Sequence, residues 1–327
     1  MIIQRGIMKQ IRLGRTEENV SVISLGTWSF GGANSSGNAS VGWADQETAD
    51  SQDSLLSCWE NGINHWDTAD VYGDGRSEKV IGSMWNTVPR NDIFLATKVG
   101  WDMGNKNHWY NIDAMRTNME RSLINLKTDC VDLLYLHHCN FGKNDEYFDG
   151  ALAEVRKFQE EGKTRFLGLS DWDLNKIMKY IKKADPDVVQ PYRNVWEDRY
   201  VVSGLQQFIE ENDLGVCFFS PLMHGLLSGK YHSPTTFKPG DFRKNIDAFK
   251  DQKIIDQIKT NANLLTDRFN NHPHPVMHGV VDTLLSDSEN SCVLLGQRNI
   301  SQVDVATTLG IYINENDVNW IKQLYDH

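Results

Sequence analysis

The chain has 327 residues, of which 40% are hydrophobic and 24% are charged, so it can bury a sizeable core. Its formal net charge of −11 at pH 7 argues against broad binding to nucleic-acid phosphates or to an anionic membrane surface. No run of about 18 apolar residues occurs, so we expect no membrane span. Residues 1–14 lack the apolar core of a signal peptide, so a cytoplasmic location is expected.

The cysteines and histidines give little indication of a metal or of disulfides. The five cysteines are far apart and include no C-x-x-C pair, which is typical neither of a disulfide framework nor of a thiolate zinc site. His272, His274 and His278 form a short histidine-rich run, but the two prolines beside them favour a loop entering a helix. We therefore expect no bound metal.

Eight short runs rich in strand-forming residues recur along the chain, most of them separated by helix-like stretches. Strands that alternate with helices predict a parallel sheet, and eight such units predict a (β/α)8 TIM barrel. The predicted strands are Val20–Gly26, Ile63–Thr68, Ile93–Val99, Val131–His137, Thr164–Ser170, Val188–Tyr192, Gly215–Ser220 and Ser291–Gly296.

Further features refine this prediction. The gap between the seventh and eighth strands, about residues 221–290, must hold a functional loop and at least one extra helix. Lys9–Leu13 suggests a hairpin that closes the barrel floor. No change in composition marks a second domain, so one domain over residues 1–327 is predicted. The alternative, a doubly wound dinucleotide-binding sheet, lacks its G-x-G-x-x-G signature here.

Polar side chains stand at the ends of several predicted strands, where a TIM barrel builds its active site. Asp67, Tyr72, Lys98 and His137 are an acid, a phenol, an amine and an imidazole that converge on one mouth. A carbonyl that accepts a hydride needs a proton donor, and an ordinary tyrosine has a pKa of about 10. We expect the Lys98 ammonium to lower the pKa of Tyr72, Asp67 to hold Lys98, and a neutral His137 to orient the carbonyl.

The sequence resembles the aldo-keto reductase family over nearly the whole chain, with its motifs in the family's order. The segment from Asp67 to Glu78, with Tyr72 and Gly73 inside it, is the most specific of them. The branch it resembles includes potassium-channel β subunits and bacterial reductases. The matching stretches are Leu25–Gly32, Ile63–Glu78, Phe94–Gly100, Asp132–His138, Gly162–Asp171, Phe219–Tyr231 and Leu295–Gln302.

By this resemblance Tyr72 is the general acid/base, and Asp67, Lys98 and His137 complete a tetrad. His137 is preferred over His138 because it stands five residues after Asp132, as in the family. Strand alternation also puts His137 on the face opposite to His138.

The resemblance implies a nicotinamide cofactor, NADPH with NADH possible, and a small-molecule carbonyl substrate. Asp171 stands where the family usually has Asn, Phe219 replaces Tyr or Trp, and Val305 and Ala306 replace two adenine-binding residues. The implied cofactor contacts are Gly26, Thr27, Trp28 and Asp67 near the mouth, Ser170 and Gln190 at the carboxamide, Phe219 under the nicotinamide, Ser220, Leu222, Lys230 and Arg243 at the pyrophosphate, and Gly296, Arg298 and Gln302 at the adenosine end, with Arg298 near the 2′-phosphate.

Three other functions remain open from the sequence. The first is a regulatory NADPH-binding protein on the same fold. The second is a metal-dependent barrel hydrolase that uses His137, His138 and the histidine-rich run. The third is the same chemistry run as an alcohol or sugar dehydrogenase. Aromatic residues in the predicted mouth loops, Trp101, Trp109, Tyr110, Phe141 and Tyr147, suit a sugar or an aromatic aldehyde. The oligomeric state is left open.

Overall fold

Eight parallel strands form a closed barrel in the computed structural model, which describes residues 8–288 and 290–326. Each strand pairs with the next one in the chain, and the eighth pairs with the first. The predicted (β/α)8 fold is therefore confirmed. The barrel strands are β1 (Ile23–Gly26), β2 (His65–Asp67), β3 (Phe94–Val99), β4 (Val131–Leu136), β5 (Thr164–Asp171), β6 (Val188–Pro191), β7 (Gly215–Phe218) and β8 (Ser291–Gly296).

Helices follow the strands and surround the barrel. Between β7 and β8 the chain forms α7, α8 and α9, so the extra helices predicted for this long segment are present. A π-helical turn, His278–Asp282, joins α8 to α9. The helices are α1 (Thr48–Glu60), α2 (Arg76–Gly82), α3 (Ile112–Leu126), α4 (Phe148–Glu160), α5 (Leu174–Ala184), α6 (Leu205–Glu211), α7 (Gln252–Arg268), α8 (Pro275–Met277), α9 (Thr283–Ser286), α10 (Ile300–Ala306) and α11 (Glu315–Tyr325).

The helix α3 shows how local sequence sets these elements. The Asn111 side chain accepts a hydrogen bond from the backbone N–H of Asp113 and so caps the first turn. Met115 and Met119 lie on the buried stripe that packs against the barrel, as the three- and four-residue spacing predicts. The helix ends at Leu126, before Lys127 in a left-handed conformation.

The first predicted strand is divided between two sheets. Asn19–Ser21 pairs antiparallel with Gln10–Arg12, and the barrel strand β1 begins only at Ile23. The chain bends at Val22 because its N–H still donates to the hairpin at Lys9, while its carbonyl accepts from β8. The hairpin predicted near the barrel floor is thus present, and its end packs against the start of β7 at Gly215.

Side chains fill the barrel below its mouth. Tyr135 on β4 is fully buried and lies against Gly168 on β5, where an added Cβ would come within 2.2 Å of the tyrosine ring. Glycine at position 168 therefore makes room for the ring. The Lys98 ammonium lies 6.0 Å from the centre of the same ring, so Tyr135 supports the site from below.

Two segments far apart in sequence join at one side of the mouth. They are residues 34–46, before α1, and residues 238–245, after β7. The N–H groups of Asn34 and Gly42 both donate to the Gly240 carbonyl at 3.1 Å, and the Phe242 N–H donates to the Gly42 carbonyl at 2.8 Å. These bonds fix residues 238–245 beside the ends of β1 and β8.

The predictions about the chain's start and its domain extent reach beyond the described residues. The expected lack of a signal peptide concerns residues 1–14, and residues 1–7 lie outside the described part. The single domain over residues 1–327 likewise stays a prediction. Among the residues that are described, no helix has both the length and the apolar character needed to cross a bilayer.

Candidate active site

Four side chains meet at the rim where the barrel strands end. Asp67 ends β2, Tyr72 lies in the following loop, Lys98 is on β3 and His137 follows β4. The Lys98 ammonium donates to the Asp67 carboxylate and to the Thr68 carbonyl (2.8 Å), and it lies 3.3 Å from the Tyr72 hydroxyl. The rings of Tyr72 and His137 meet edge to face, with centroids 5.8 Å apart. The structure therefore brings together all four predicted tetrad residues.

The Lys98–Asp67 pair is buried at the centre of this group. Each of the two side chains is 1% exposed. Burial by itself lowers the pKa of Lys98, but the charge of Asp67 and the contact with Tyr72 outweigh it, and the net pKa is raised. The second oxygen of Asp67 accepts a hydrogen bond from Gln190 Nε2 at 2.8 Å. Lys98 is thus a fixed cation beneath the tyrosine hydroxyl.

Tyr72 differs from the sequence-based expectation. Burial raises the pKa of Tyr72 most, and the charge of Asp67 adds to that effect. Lys98 acts in the opposite direction, as expected, but it does not outweigh burial, so the net pKa lies above 10. The phenol is consequently protonated at neutral pH.

His137 is a neutral imidazole in this setting. Burial holds its pKa well below the ordinary value, and the positive charge of Lys98 adds to that effect. Within the described residues, its buried Nδ1 has no hydrogen-bond partner. The ring can therefore hydrogen-bond an oxygen without carrying charge itself.

His138 points away from this group. Its ring lies 4.2 Å from that of Trp101 and 4.7 Å from that of Trp109, and it is buried. Tyr110 donates to the His138 carbonyl at 2.5 Å. Tyr110 and Phe141 are themselves buried, so they belong to the core rather than to the mouth where the sequence suggested them.

Residues at and just after the end of β1 hold Asp67 in place and form one side of the site. The backbone N–H and hydroxyl of Thr27 both donate to the Asp67 carbonyl, at 3.0 and 2.8 Å, while Gly26 pairs with Asp67 across the strands. The ring of Trp28 stacks on Tyr72 at 5.9 Å and 23°. Trp28 also lies 4.9 Å from Phe242, so it links the tetrad to residues 238–245.

The predicted carboxamide contacts sit on neighbouring strands. Ser170 on β5 is the pairing partner of Gln190 on β6, and both are buried. Phe219, just after β7, is half-buried and meets Trp172 edge-on at 4.9 Å. Asp171 accepts hydrogen bonds from the N–H groups of Cys139 and Asp173, so its carboxylate anchors the loops around it.

The predicted pyrophosphate residues after β7 lie in a tight turn. Ser220 has a positive φ of 61°, and its hydroxyl lies 3.4 Å from His224 Nε2. Leu222 is half-buried, whereas Lys230 is exposed. An added Cβ at Gly225 would lie 3.7 Å from the Lys230 ammonium. The ammonium group therefore lies close to this turn.

Arg243, the fourth predicted pyrophosphate residue, already forms an ion pair with Asp241. Its Nε and Nη2 donate to the two carboxylate oxygens of Asp241, at 2.8 and 2.6 Å. Its guanidinium lies 4.6 Å from the Trp43 ring and 4.4 Å from the Phe237 ring. Its place at the pyrophosphate stays a prediction.

The predicted adenosine end lies after β8. Gly296 is exposed, and a Cβ added there would meet no atom within 4 Å. Arg298 donates from Nε to Gln46 Oε1 (2.8 Å) and from Nη2 to the Ala44 carbonyl (2.6 Å). The Gln302 side chain accepts from the Arg298 backbone N–H at 2.9 Å. Arg298 is therefore held in place by residues 44–46.

Sequence reasoning missed Asp241 and Gln46, which hold the two arginines. Gln46 is 6% exposed and also donates to the Arg298 carbonyl at 3.0 Å. Neither residue belongs to a strand end or a helical stripe, so no periodic signal marks them. The close spacing of Asp241 and Arg243 was the only available hint.

One group inside the barrel has the composition of a metal site. The ligand atoms of His65, Cys217 and Cys292 lie within 4.8 Å of one another, and all three side chains are buried. His65 Nδ1 is also 2.9 Å from the Ser24 hydroxyl. In the histidine-rich run noted in the sequence, His272 Nε2 contacts the backbone carbonyl of Thr308.

Proteins similar to this chain are known over most of its length. The model of the Aldo/keto reductase family matches residues 22–326. The NADH-specific methylglyoxal reductase of Escherichia coli is 28% identical over 77% of this chain and 79% of its own. A probable voltage-gated potassium channel subunit beta of Arabidopsis thaliana is 26% identical over 77% of this chain and 75% of its own.

A solved structure shows the same fold. The glycerol dehydrogenase AKR11B4 of Gluconobacter oxydans superposes with a TM-score of 0.79 at 24% identity, covering 96% of this chain and 94% of its own. The barrel fold and the family match together place the chain among the oxidoreductases. The chain belongs to the aldo/keto reductase family.

Proposed function

We propose that this chain reduces a small carbonyl compound with NADPH or NADH and that Tyr72 donates the proton. The observation that carries the proposal is the contact of the Lys98 ammonium with both Asp67 and the Tyr72 hydroxyl, beside a neutral His137. A buried cation under a phenol stabilises the phenolate that remains after proton transfer.

The residues at the rim fit a nicotinamide cofactor. Lys230, Arg243 and Arg298 provide cations along one side of the mouth, where Gly296 faces open space. Ser170 and Gln190 would hold the carboxamide, Phe219 would lie against the ring, and Ser220, Leu222 and Gln302 would line the rest. The bound cofactor would supply the hydride for the carbonyl carbon.

The chain's own residues orient and protonate the carbonyl oxygen of the substrate. His137 hydrogen-bonds the carbonyl oxygen and orients it, because its imidazole is neutral. Tyr72 then gives its hydroxyl proton to the oxygen as negative charge develops there. Lys98 stabilises the resulting phenolate, and Asp67 keeps Lys98 in place.

The direction of the pKa shift at Tyr72 is compatible with its role as a proton donor. Its raised pKa keeps the proton on the phenol at neutral pH, ready for donation. The reverse reaction, as in an alcohol or sugar dehydrogenase, needs the phenolate as a base and should therefore gain as pH rises.

Two other functions are less well supported. A metal-dependent hydrolase needs His137 and His138 as joint ligands, but His138 packs against Trp101. A purely regulatory role would leave the tetrad unused, and turnover with any aldehyde would exclude it.

The mouth suggests substrates with a flat or apolar side. Trp101 is 47% exposed and Trp172 is 41% exposed, and Trp101 lies 6.1 Å from the His137 ring. Trp101 offers a large apolar face beside His137, and Trp172 offers another beside Phe219. Aromatic aldehydes and sugars are therefore the first compounds to assay.

The test is Tyr72→Phe, which removes one hydroxyl and keeps the ring. Carbonyl reduction should fall by about 10²–10⁴-fold, the usual contribution of a general acid. Cofactor affinity should persist, since the hydroxyl contacts Lys98 rather than the predicted cofactor residues. Single-turnover oxidation of NADPH with excess aldehyde, beside a cofactor titration, measures both. Near-normal turnover in the variant would contradict the proposed mechanism.

A further inference from the structure

A buried histidine and two buried cysteines lie together inside the barrel, below the Asp67–Lys98 pair. His65, Cys217 and Cys292 are each 0% exposed, and their ligand atoms lie within 4.8 Å of one another. His65 stands two residues before Asp67 on β2, so the two-residue period of a strand points both side chains into the barrel. Barrel interiors are usually filled by branched apolar side chains, so a group of nitrogen and sulfur donors is unusual there.

Four neighbouring strands supply this group. Cys217 on β7 and Cys292 on β8 are register partners, so their side chains leave the sheet side by side on the same face. The strand β8 pairs with β1, which carries Ser24, and β1 pairs with β2, which carries His65. Barrel closure thus joins residues up to 227 positions apart in the chain, which local cysteine spacing does not reveal.

The imidazole of His65 makes its polar contacts within this group. Its Nδ1 lies 2.9 Å from the Ser24 hydroxyl and 3.7 Å from the Cys292 sulfur. Among the residues that the structure describes, none bonds the other ring nitrogen, Nε2, which is also buried. The ring therefore has no second hydrogen bond that would tie it to another part of the core.

The spacing of these atoms suits a zinc ion. Tetrahedral zinc binds sulfur at about 2.3 Å and nitrogen at about 2.0–2.1 Å, which puts neighbouring ligand atoms about 3.5–3.8 Å apart. The 3.7 Å between His65 and Cys292 already lies in this range. No pair in the group is wider than 4.8 Å, so a movement of about 1 Å completes the geometry.

The charge of the group also selects the ion. Two thiolates and a neutral imidazole carry two negative charges, so Zn²⁺ gives a neutral centre, which a fully buried site favours. A monovalent soft ion such as Cu⁺ would leave a net negative charge without solvent. Mg²⁺ and Ca²⁺ are excluded because they prefer oxygen ligands.

We propose that His65, Cys217 and Cys292 bind one zinc ion inside the barrel as a structural site. The Ser24 hydroxyl takes the fourth position. Binding replaces the two thiol protons by the metal and releases them to solvent. Because every ligand is buried, the ion enters as the barrel closes, and its binding stabilises the folded chain. The site is separate from the residues proposed for carbonyl reduction.

The zinc content of the purified protein tests the site. The protein is expressed with zinc in the medium, purified without a histidine tag and dialysed against EDTA. Wild type should retain about one zinc per chain, because a buried structural ion exchanges slowly. Cys217→Ser and Cys292→Ser should each lose it, whereas Cys58→Ser should keep it. Cys58 is the matched control, since it is equally buried but its thiol donates to Gln297.

The histidine-rich run provides a control for adventitious zinc. His65→Gln should lower the zinc content, while His272→Gln should leave it unchanged. Zinc that is lost in His272→Gln and kept in His65→Gln would place the ion at that run and overturn the inference. Zinc kept in both cysteine-to-serine variants of the barrel group would overturn it as well.

Cobalt in place of zinc identifies the ligands without requiring that any variant folds. Wild type produced with Co²⁺ should show thiolate-to-cobalt charge-transfer absorption and the visible bands of tetrahedral cobalt. Wild type that carries neither metal, or a cobalt spectrum without thiolate charge transfer, would contradict the proposed site. A disulfide between Cys217 and Cys292, seen by mass spectrometry without reductant, would contradict it too.

Discussion

Replacing Asp67 by Asn should cost more stability than any exposed charge change in this chain. Lys98 and Asp67 are each 1% exposed, and the variant removes the negative charge, so that only neutral oxygens, including the Thr68 carbonyl and the Tyr72 hydroxyl, remain near the ammonium. Removing one partner of a buried ion pair typically costs about 3–5 kcal/mol, because the other charge stays buried and unpaired. A domain is stable by only about 5–15 kcal/mol, so much of its stability would be lost.

The double variant Asp67→Asn/Lys98→Met distinguishes stability from catalysis. An apolar side chain in place of the buried cation should recover much of the lost free energy of unfolding. Carbonyl reduction should stay as low as in the single variants, since the phenolate has lost its cation. Denaturant titration at pH 7 and single-turnover assays measure the two quantities, with Asp247→Asn as an exposed control.

The stability lost in Asp67→Asn should depend on pH with a definite sign. The pKa of Lys98 is raised in the folded chain, so the pair stabilises the fold fully below about pH 10.4, the ordinary lysine value. That contribution is lost as pH rises through the folded pKa. The stability gap between wild type and Asp67→Asn should therefore shrink at alkaline pH. A gap that is small at pH 7, or that grows with pH, would refute the role given to this pair.

Two further predictions concern binding. His137→Ala should lower kcat and raise KM for carbonyls while cofactor affinity persists, whereas His138→Ala should act mildly, since its ring packs against Trp101; steady-state kinetics that rank them in the reverse order would contradict the choice of His137. Arg298→Ala should weaken NADPH by about 1.5–3 kcal/mol more than NADH, the worth of a hydrogen bond to a charged group; equal losses in fluorescence titrations would remove Arg298 from the 2′-phosphate.

Much of the site follows from the order of strand ends along the chain. Asp67 and Lys98 lie at the carboxyl ends of neighbouring parallel strands, which share one rim, so their approach is implied by the barrel itself. The choice between His137 and His138 likewise follows from the two-residue period of a strand, and the structure puts the His137 ring 5.8 Å from Tyr72.

The sequence by itself determined the alternation of strands and helices, the barrel they close and the side chains at its rim, because these depend on local periodicity and on chain order. Only the tertiary structure decided the direction in which the pKa of Tyr72 shifts, since burial there outweighs the nearby cation. It also decided what surrounds Asp241 and Arg243, because Gly240 and Asp241 meet residues 34–46 through contacts between segments about 200 positions apart. No local pattern encodes such a contact, for its energy depends on which charged groups share a buried space.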